Sequence, residues 1–310
     1  MKNYLVMMAA AVLMLGFSSC NVNDVIEDQP QVVSFSAGID IQALPNGAPG
    51  TRAAGTTWGV NDAIGIFMVD NGTTTIAEGA VNKRYTTTGN DAFTSATMGD
   101  AIYYPMDAAD KVDFIAYYPW AANNVLGTAI DVEIGTTQTT ASQAGFDLLW
   151  AKANGTGGAG YDKSNTTPVL LDFDHRLSKI VMNCSADASV GTALTGMTVK
   201  INGMNTKNTF NLSTGALGTA NTPAAITPRT VTNGSVYDAI ILPGSYAAGA
   251  ITVEFTVGGD TFIWTLTNTD ATFVGGNEYT YAVTLTRTGI TVTGTITPWN
   301  TINRGGATAD

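Results

Sequence analysis

Few side chains in this 310-residue sequence are of a type and spacing that could do chemistry. The single histidine, His175, stands in Phe173-Asp174-His175-Arg176-Leu177-Ser178. An aspartate and a serine beside a histidine suggest nucleophilic catalysis, but a triad is defined by geometry rather than adjacency, and nothing marks a nucleophile elbow. We expect a hydrogen-bonded structural histidine at a strand end. Gly155, Gly157 and Gly160 satisfy G-x-G-x-x-G. A dinucleotide fingerprint needs a strand before it and a helix after it. Here Lys152-Ala153-Asn154 precedes, Tyr161-Asp162-Lys163 leads to Pro168, and no helical pattern follows, so a connector is expected. Carboxylates for glycoside hydrolysis can come from distant positions, yet among 25 acidic residues no pair stands out. Tyr103-Tyr104-Pro105 and Tyr117-Tyr118-Pro119-Trp120 could stack on sugars. Ile102 and Phe114 continue a strand pattern beside them, which favours a place in the core. One histidine and two cysteines do not suffice for a Cys/His zinc site. Fourteen cations against 25 anions, a net charge of -11, argue against nucleic acid as a partner. No catalytic, cofactor-binding or metal residue is therefore expected.

Two residues carry a different chemistry, that of processing. Met1-Lys2 is followed by an apolar run from Tyr4 to Phe17, and Ser18-Ser19 precedes Cys20. That order is a secretory signal, too short for the about 20 apolar residues that cross a bilayer. The cysteine directly after small residues resembles a bacterial lipoprotein signal, in which Cys20 becomes the acylated first residue. Phe17 stands where the usual pattern has leucine. An ordinary cleaved signal and an uncleaved anchor are the other readings. With Cys20 acylated, Cys184 has no intramolecular partner, and its spacing from Ile180 and Met182 places it on the inward face of a strand. Arg52 is the only basic side chain between Lys2 and Lys83. Pro45-Asn46-Gly47-Ala48-Pro49-Gly50-Thr51 and Ala53-Ala54-Gly55-Thr56-Thr57 surround it with small, turn-forming residues, the composition of an exposed loop open to proteolysis. A protease specific for arginine would find one target there, Arg52-Ala53; a plain surface arginine is the competing reading.

The elements that must position these residues are strands. Val33, Phe35, Ala37, Ile39 and Ile41 alternate with polar or small residues. So do Ile251 to Val257 and Tyr279 to Leu285, and shorter runs such as Ile64-Ile66-Met68 and Val169-Leu171-Phe173. Such alternation marks half-buried strands, and the Gly, Asn, Asp and Pro clusters between them are turn chemistry. A hydrophobic fraction of 45% excludes disorder. An all-β sandwich architecture follows, with a length suited to roughly two domains. The Gly-rich stretch Ala153 to Pro168 is the most linker-like, which puts a boundary near Asn165; a long loop within one larger sandwich is the alternative.

An ordered set of motifs accompanies these features. They are Cys20 in its signal, Thr51-Arg52-Ala53-Ala54, Trp58-Gly59-Val60-Asn61-Asp62-Ala63-Ile64-Gly65-Ile66-Phe67, Val112-Asp113-Phe114-Ile115-Ala116-Tyr117-Tyr118-Pro119, Asp147-Leu148-Leu149-Trp150-Ala151 and Phe173-Asp174-His175-Arg176-Leu177-Ser178-Lys179-Ile180. Together they resemble the fimbrillin family of type V pili of anaerobic Gram-negative bacteria. The resemblance implies an outer-membrane lipoprotein precursor with two tandem transthyretin-like antiparallel β-sandwich domains. It implies that an arginine-specific surface protease removes the segment from the lipidated cysteine to an arginine, and that other pilus subunits are the partners. The segment removed carries the first strand, and another subunit's carboxy-terminal strand fills the groove it leaves. The expected division is a signal peptide over 1–19, a propeptide over 20–52, and domains over 53–165 and 166–310. The residues suit the scheme. The removable strand would be Val33, Phe35, Ala37, Ile39 and Ile41, whose burial at roughly 1.5–3 kcal/mol each represents about 7–15 kcal/mol gross. A donor strand would carry Ile290, Val292 and Ile296, with Gly294 in the series and Trp299 off its register. A lipid-anchored surface glycan-binding protein is the alternative function.

Overall fold

Alternation along the chain becomes strand nearly throughout. A computed structural model of the protein describes residues 29–39, 57–190, 193–267, 271–287 and 289–299. Cys20, Ile41, Arg52 and Ala53 lie outside the described residues. The first half contains β1 (Phe35–Ile39), β2 (Val60–Asp70), β3 (Lys83–Thr88), β4 (Ala92–Ser95), β5 (Val112–Tyr118), β6 (Ala129–Glu133), β7 (Leu149–Ala153) and β8 (Val169–His175). One short helix, α1 (Thr140–Phe146), stands between β6 and β7. Its start is a capping box: the Thr139 hydroxyl accepts from the Ser142 N–H, and the Ser142 hydroxyl accepts from the Thr139 N–H.

Seven strands form a closed ring in the order β1-β4-β3-β2-β5-β7-β8. The class is all-β, as expected, but this half closes on itself instead of lying open as two sheets. The closure is β1, which runs antiparallel to β4 and parallel to β8. Val33, Phe35, Ile64, Ile66, Tyr85, Phe93, Phe114, Leu171 and Phe173 are among the side chains that fill the ring.

The second half contains β9 (Ser178–Ala186), β10 (Thr198–Asn211), β11 (Ala216–Leu217), β12 (Asn221–Ile226), β13 (Arg229–Thr232), β14 (Val236–Ile241), β15 (Gly244–Ser245), β16 (Thr252–Val257), β17 (Asp260–Thr265), β18 (Thr272–Phe273), β19 (Asn277–Thr286) and β20 (Gly289–Pro298). One sheet is built around the long β10, which pairs with β11, β12, β16 and β6, with β17 beyond β16. A second runs β13-β14-β9-β19-β20, and β15 pairs with β18 in a small two-stranded sheet. The buried faces of the two larger sheets meet in one core through Ile180, Met182, Val199, Ile201, Tyr237, Val253, Phe255, Tyr281 and Val283. Cys184, on β9, packs half-buried at its margin, and burial pushes its thiol up to about 12.

The halves share strands and side chains. All seven residues of β5 are buried. Phe114 and Ala116 face the ring's core, while Ile115 and Tyr117 join the core of the second half. On β2, Ile64, Ile66 and Met68 likewise face one core and Phe67 and Val69 the other. Two buried faces account for the unbroken apolar run Ile64 to Val69, which a one-sided strand would interrupt with polar residues. The Gly-rich stretch after β7 connects β7 to β8 inside the ring. It folds back on itself, with the Gly160 N–H donating to the Asn154 carbonyl at 2.8 Å. Lys111 pairs with Asp162, and Asn165 donates to the Tyr104 hydroxyl at 2.8 Å. Gly155 has φ +71, and a Cβ there would stand 2.5 Å from the Gly160 oxygen. β8 therefore lies past Asn165 and still completes the ring, while β6, ahead of it, hydrogen-bonds β10 of the second half.

Candidate functional site

The residues expected to form the removable and donor strands fall at two places, a strand that closes the ring and a strand at an open edge. On β1 and in the residues leading into it the apolar side chains alternate inward, and Val33, Phe35, Ala37 and Ile39 are all buried. Phe35 sits between two rings, edge-on to Tyr85 at 5.0 Å and to Phe114 at 5.1 Å. Burial pushes the Tyr85 hydroxyl up to about 12; it accepts from the Ile102 N–H at 3.0 Å. Both backbone edges of this segment are engaged. The Val33 N–H donates to Ile102 at 2.8 Å and the Ala37 N–H to Asp91 at 2.7 Å. On the other side the Val169 N–H donates to Ser34 at 2.8 Å, and residues Phe35 to Ile39 pair in register with Val169 to Phe173. The Trp58 indole N–H donates to the Ala37 carbonyl at 2.6 Å. Trp58 packs edge-on against Phe93, Tyr118 and Phe173, so its indole is fixed against β1 by aromatic contacts.

The second place is β20. It pairs with β19 along its whole length, from Asn277↔Pro298 to Thr286↔Gly289, and is the outer strand of its sheet. Ile290, Val292, Gly294 and Ile296 stand opposite Leu285, Val283, Tyr281 and Tyr279, all core-facing. Directly opposed residues share a face, so the apolar side of β20 is the core side. Its burial is incomplete: Ile290 and Val292 are half-buried and Ile296 is 62% exposed. A Cβ on Gly294 would lie 3.0 Å from the Tyr281 ring, tighter than ordinary contact, so a glycine suits that approach. Trp299 follows the strand and turns inward. It is buried and stacks on His175, ring centroids 4.0 Å apart and 6° from parallel.

His175 is the last residue of β8, fully within the protein, with Nδ1 3.0 Å from Asp147 Oδ1. Between a carboxylate and an indole, its environment is that of a packing residue at the junction of the halves. The sequence pointed to a strand-end histidine but carried no sign of the stacking partner 124 positions away, a separation of 299 minus 175. The tyrosine clusters are also mostly interior. Tyr104, Tyr117 and Tyr118 are buried, and the Tyr117 hydroxyl donates to Asn82 Oδ1 at 2.8 Å. Trp120 lies half-buried under the Arg84 guanidinium, 4.7 Å from its ring. Tyr103 is exposed.

A second polar cluster, not singled out in the sequence, ties α1 to the second half. Asp238 is buried on β14 and held by Arg229, whose Nε lies 2.7 Å from Oδ1 and whose second nitrogen pairs with Oδ2. Gln143 of α1 donates to Asp238 at 3.1 Å. Gln138 donates to the Ile240 carbonyl at 2.7 Å and accepts from its N–H at 2.8 Å.

Comparison with known proteins locates this arrangement among others. A sequence model of the family described as Fimbrillin-like matches residues 51–299. A protein of Bacteroides uniformis described as a candidate fimbrium subunit, Fim1C, is 34% identical over 275 residues, covering 84% of each chain. A crystal structure described as a candidate cell adhesion protein, also from Bacteroides uniformis, superposes with a TM-score of 0.68 at 29% identity, over 87% of this chain and 98% of that one. A second, from Bacteroides ovatus, shares the fold with a TM-score of 0.64 at 22% identity, over the same shares of the two chains.

Proposed function

The chain belongs to the fimbrillin-like family, and from that premise we propose that it is a structural subunit of a cell-surface fimbria that contributes to adhesion. Its partners are other subunits, and no catalytic step is assigned to it. The precursor is carried to the outer membrane as a lipoprotein acylated on Cys20. An arginine-directed surface protease cuts at Arg52-Ala53, and the segment 20–52 leaves with β1. The β20 strand of another subunit takes its place.

One observation carries this reading: β1 is a complete strand of the ring, yet it lies on the amino-terminal side of Arg52. A cut at that arginine would leave β1 held by non-covalent contacts alone. Its departure would open the ring between β4 and β8 and uncover the core beneath Phe35. Unpaired edges flanking an apolar slot are a template for an added strand. Val33, Phe35 and Ile39 represent about 5–9 kcal/mol of gross burial that a replacement strand could recover. Donor and slot lie on different parts of the molecule, so the contact is heterologous and extends as a filament when it does not close. The glycan-binding alternative loses its main support, because the tyrosines that would have formed a platform lie largely in the core.

The test is Arg52→Ala in the full chain. Wild-type precursor treated with an arginine-specific protease is expected to shorten by the segment up to Arg52 and to elute as multimers in size-exclusion chromatography. The variant is expected to keep its length and stay monomeric. Multimers of equal abundance from uncut Arg52→Ala protein would overturn the scheme.

A further inference from the structure

The closing strand and the edge strand carry the same order of side-chain sizes, which sets how one would replace the other. This inference rests on the reading above, that β1 leaves and β20 of a second copy enters. Along the inward face of β1 and the residues leading into it the order is Val33, Phe35, Ala37, Ile39: large, large, small, large. Ala37 is 0% exposed, and the Trp58 indole holds its carbonyl at 2.6 Å, so the backbone there is drawn against an aromatic wall. Along the apolar face of β20 the order is Ile290, Val292, Gly294, Ile296: large, large, small, large again. In its own sheet this face is poorly covered, with Ile296 62% exposed.

We propose that β20 of a second copy enters the slot in the same direction as β1, with Ile290 at the place of Val33, Val292 at Phe35, Gly294 at Ala37 and Ile296 at Ile39. Other alignments fail on volume or on backbone chemistry. A shift by two residues one way sets Val292 at the enclosed Ala37 position, and a close-packed core resists added methyl groups. The opposite shift sets Ile296 there and leaves Gly294 in the space between Tyr85 and Phe114, a cavity in the core. A reversed strand that keeps Gly294 at Ala37 puts Pro298 at Val33, whose N–H donates to Ile102 at 2.8 Å; proline has no such donor. In the proposed register the donor pairs antiparallel with β4, as β1 does. Thr293 then takes the place of Ser36, opposite Ala92.

That pairing is testable at exposed positions whose replacement leaves the core intact. Ala92, Thr291, Thr293 and Thr295 are all exposed. In the full chain, Ala92→Cys is combined in turn with Thr291→Cys, Thr293→Cys or Thr295→Cys, with Ala92→Cys alone as the background for Cys184. Each protein is cut with the arginine-specific protease, allowed to assemble, oxidised and run without reductant. Opposed Cβ atoms lie about 4.5–5.5 Å apart against about 7–8 Å on the diagonal, and a disulfide requires the shorter reach. The Thr293→Cys pair is expected to give a ladder of covalent multimers at least about tenfold faster than the other two. A faster ladder from Thr291→Cys or Thr295→Cys would overturn the register while leaving strand exchange standing, as would multimers that cross-link at none of the positions. Failure of the cut wild-type protein to form multimers would overturn exchange itself and the register with it.

Discussion

Phe35 and Tyr85 meet edge-on at 5.0 Å, and what surrounds them decides how the ring responds to pH. Burial is the main cause that raises the Tyr85 hydroxyl from 10.0 to about 12. Burial likewise raises Tyr104 and Tyr117, against the opposing hydrogen bonds each makes. Because the folded protein holds the Tyr85 proton more tightly than the unfolded chain, this stability is fully present below the unfolded pKa near 10. It is lost as pH rises through that value toward 12. A shift of that size corresponds to about 3 kcal/mol for Tyr85. Urea unfolding should therefore show stability falling between about pH 10 and 12, and Tyr85→Phe should make that fall shallower. At pH 8 the same variant should be weaker by about 1 kcal/mol, for the lost hydrogen bond to Ile102. A fall of unchanged depth in Tyr85→Phe would show that this hydroxyl is not the group responsible.

At the scale of elements, β1 is short, yet its side chains reach the centre of the ring. Phe35→Ala would leave a void between Tyr85 and Phe114, and such truncations cost about 3–5 kcal/mol. The expected result is a lowered thermal midpoint for the uncut precursor, with a much smaller effect once the strand has been removed by proteolysis. An equal loss before and after the cut would mean that β1 stays in place. The alternation Val33 to Ile39 was readable as a strand with one wet face. Its neighbours were not, because β8 lies more than a hundred residues away in sequence and no local pattern names a parallel partner. The Gly155-Gly160 stretch misled for the complementary reason. Glycine and asparagine mark a change of direction equally well in a linker and in a loop that returns to its own sheet. The hydrogen bond from Gly160 to Asn154 and the pairing of Lys111 with Asp162 separate the two cases.

Across the whole molecule the halves are welded. β5 is buried on both faces, β6 hydrogen-bonds β10 of the other half, and Gln143 reaches from α1 to Asp238. Losing either body would leave Ile115 and Tyr117 bare on one side, or Asp238 short of a partner in a dry site. The precursor is thus expected to unfold in one calorimetric transition, with calorimetric and van't Hoff enthalpies in agreement. Two resolved transitions would show that the shared strands do not couple the halves.

The linear chain already carried the all-β class and its kinship, because alternation and turn chemistry are written over a few neighbouring residues. It also carried the apolar alternation Val33 to Ile39 and Ile290 to Ile296. The fold alone decided that β1 closes a ring, that β8 belongs to that ring, and that His175 rests on Trp299. Those outcomes depend on contacts between remote segments. A period of two tells each strand which face to bury, but only packing in three dimensions selects the edge it joins.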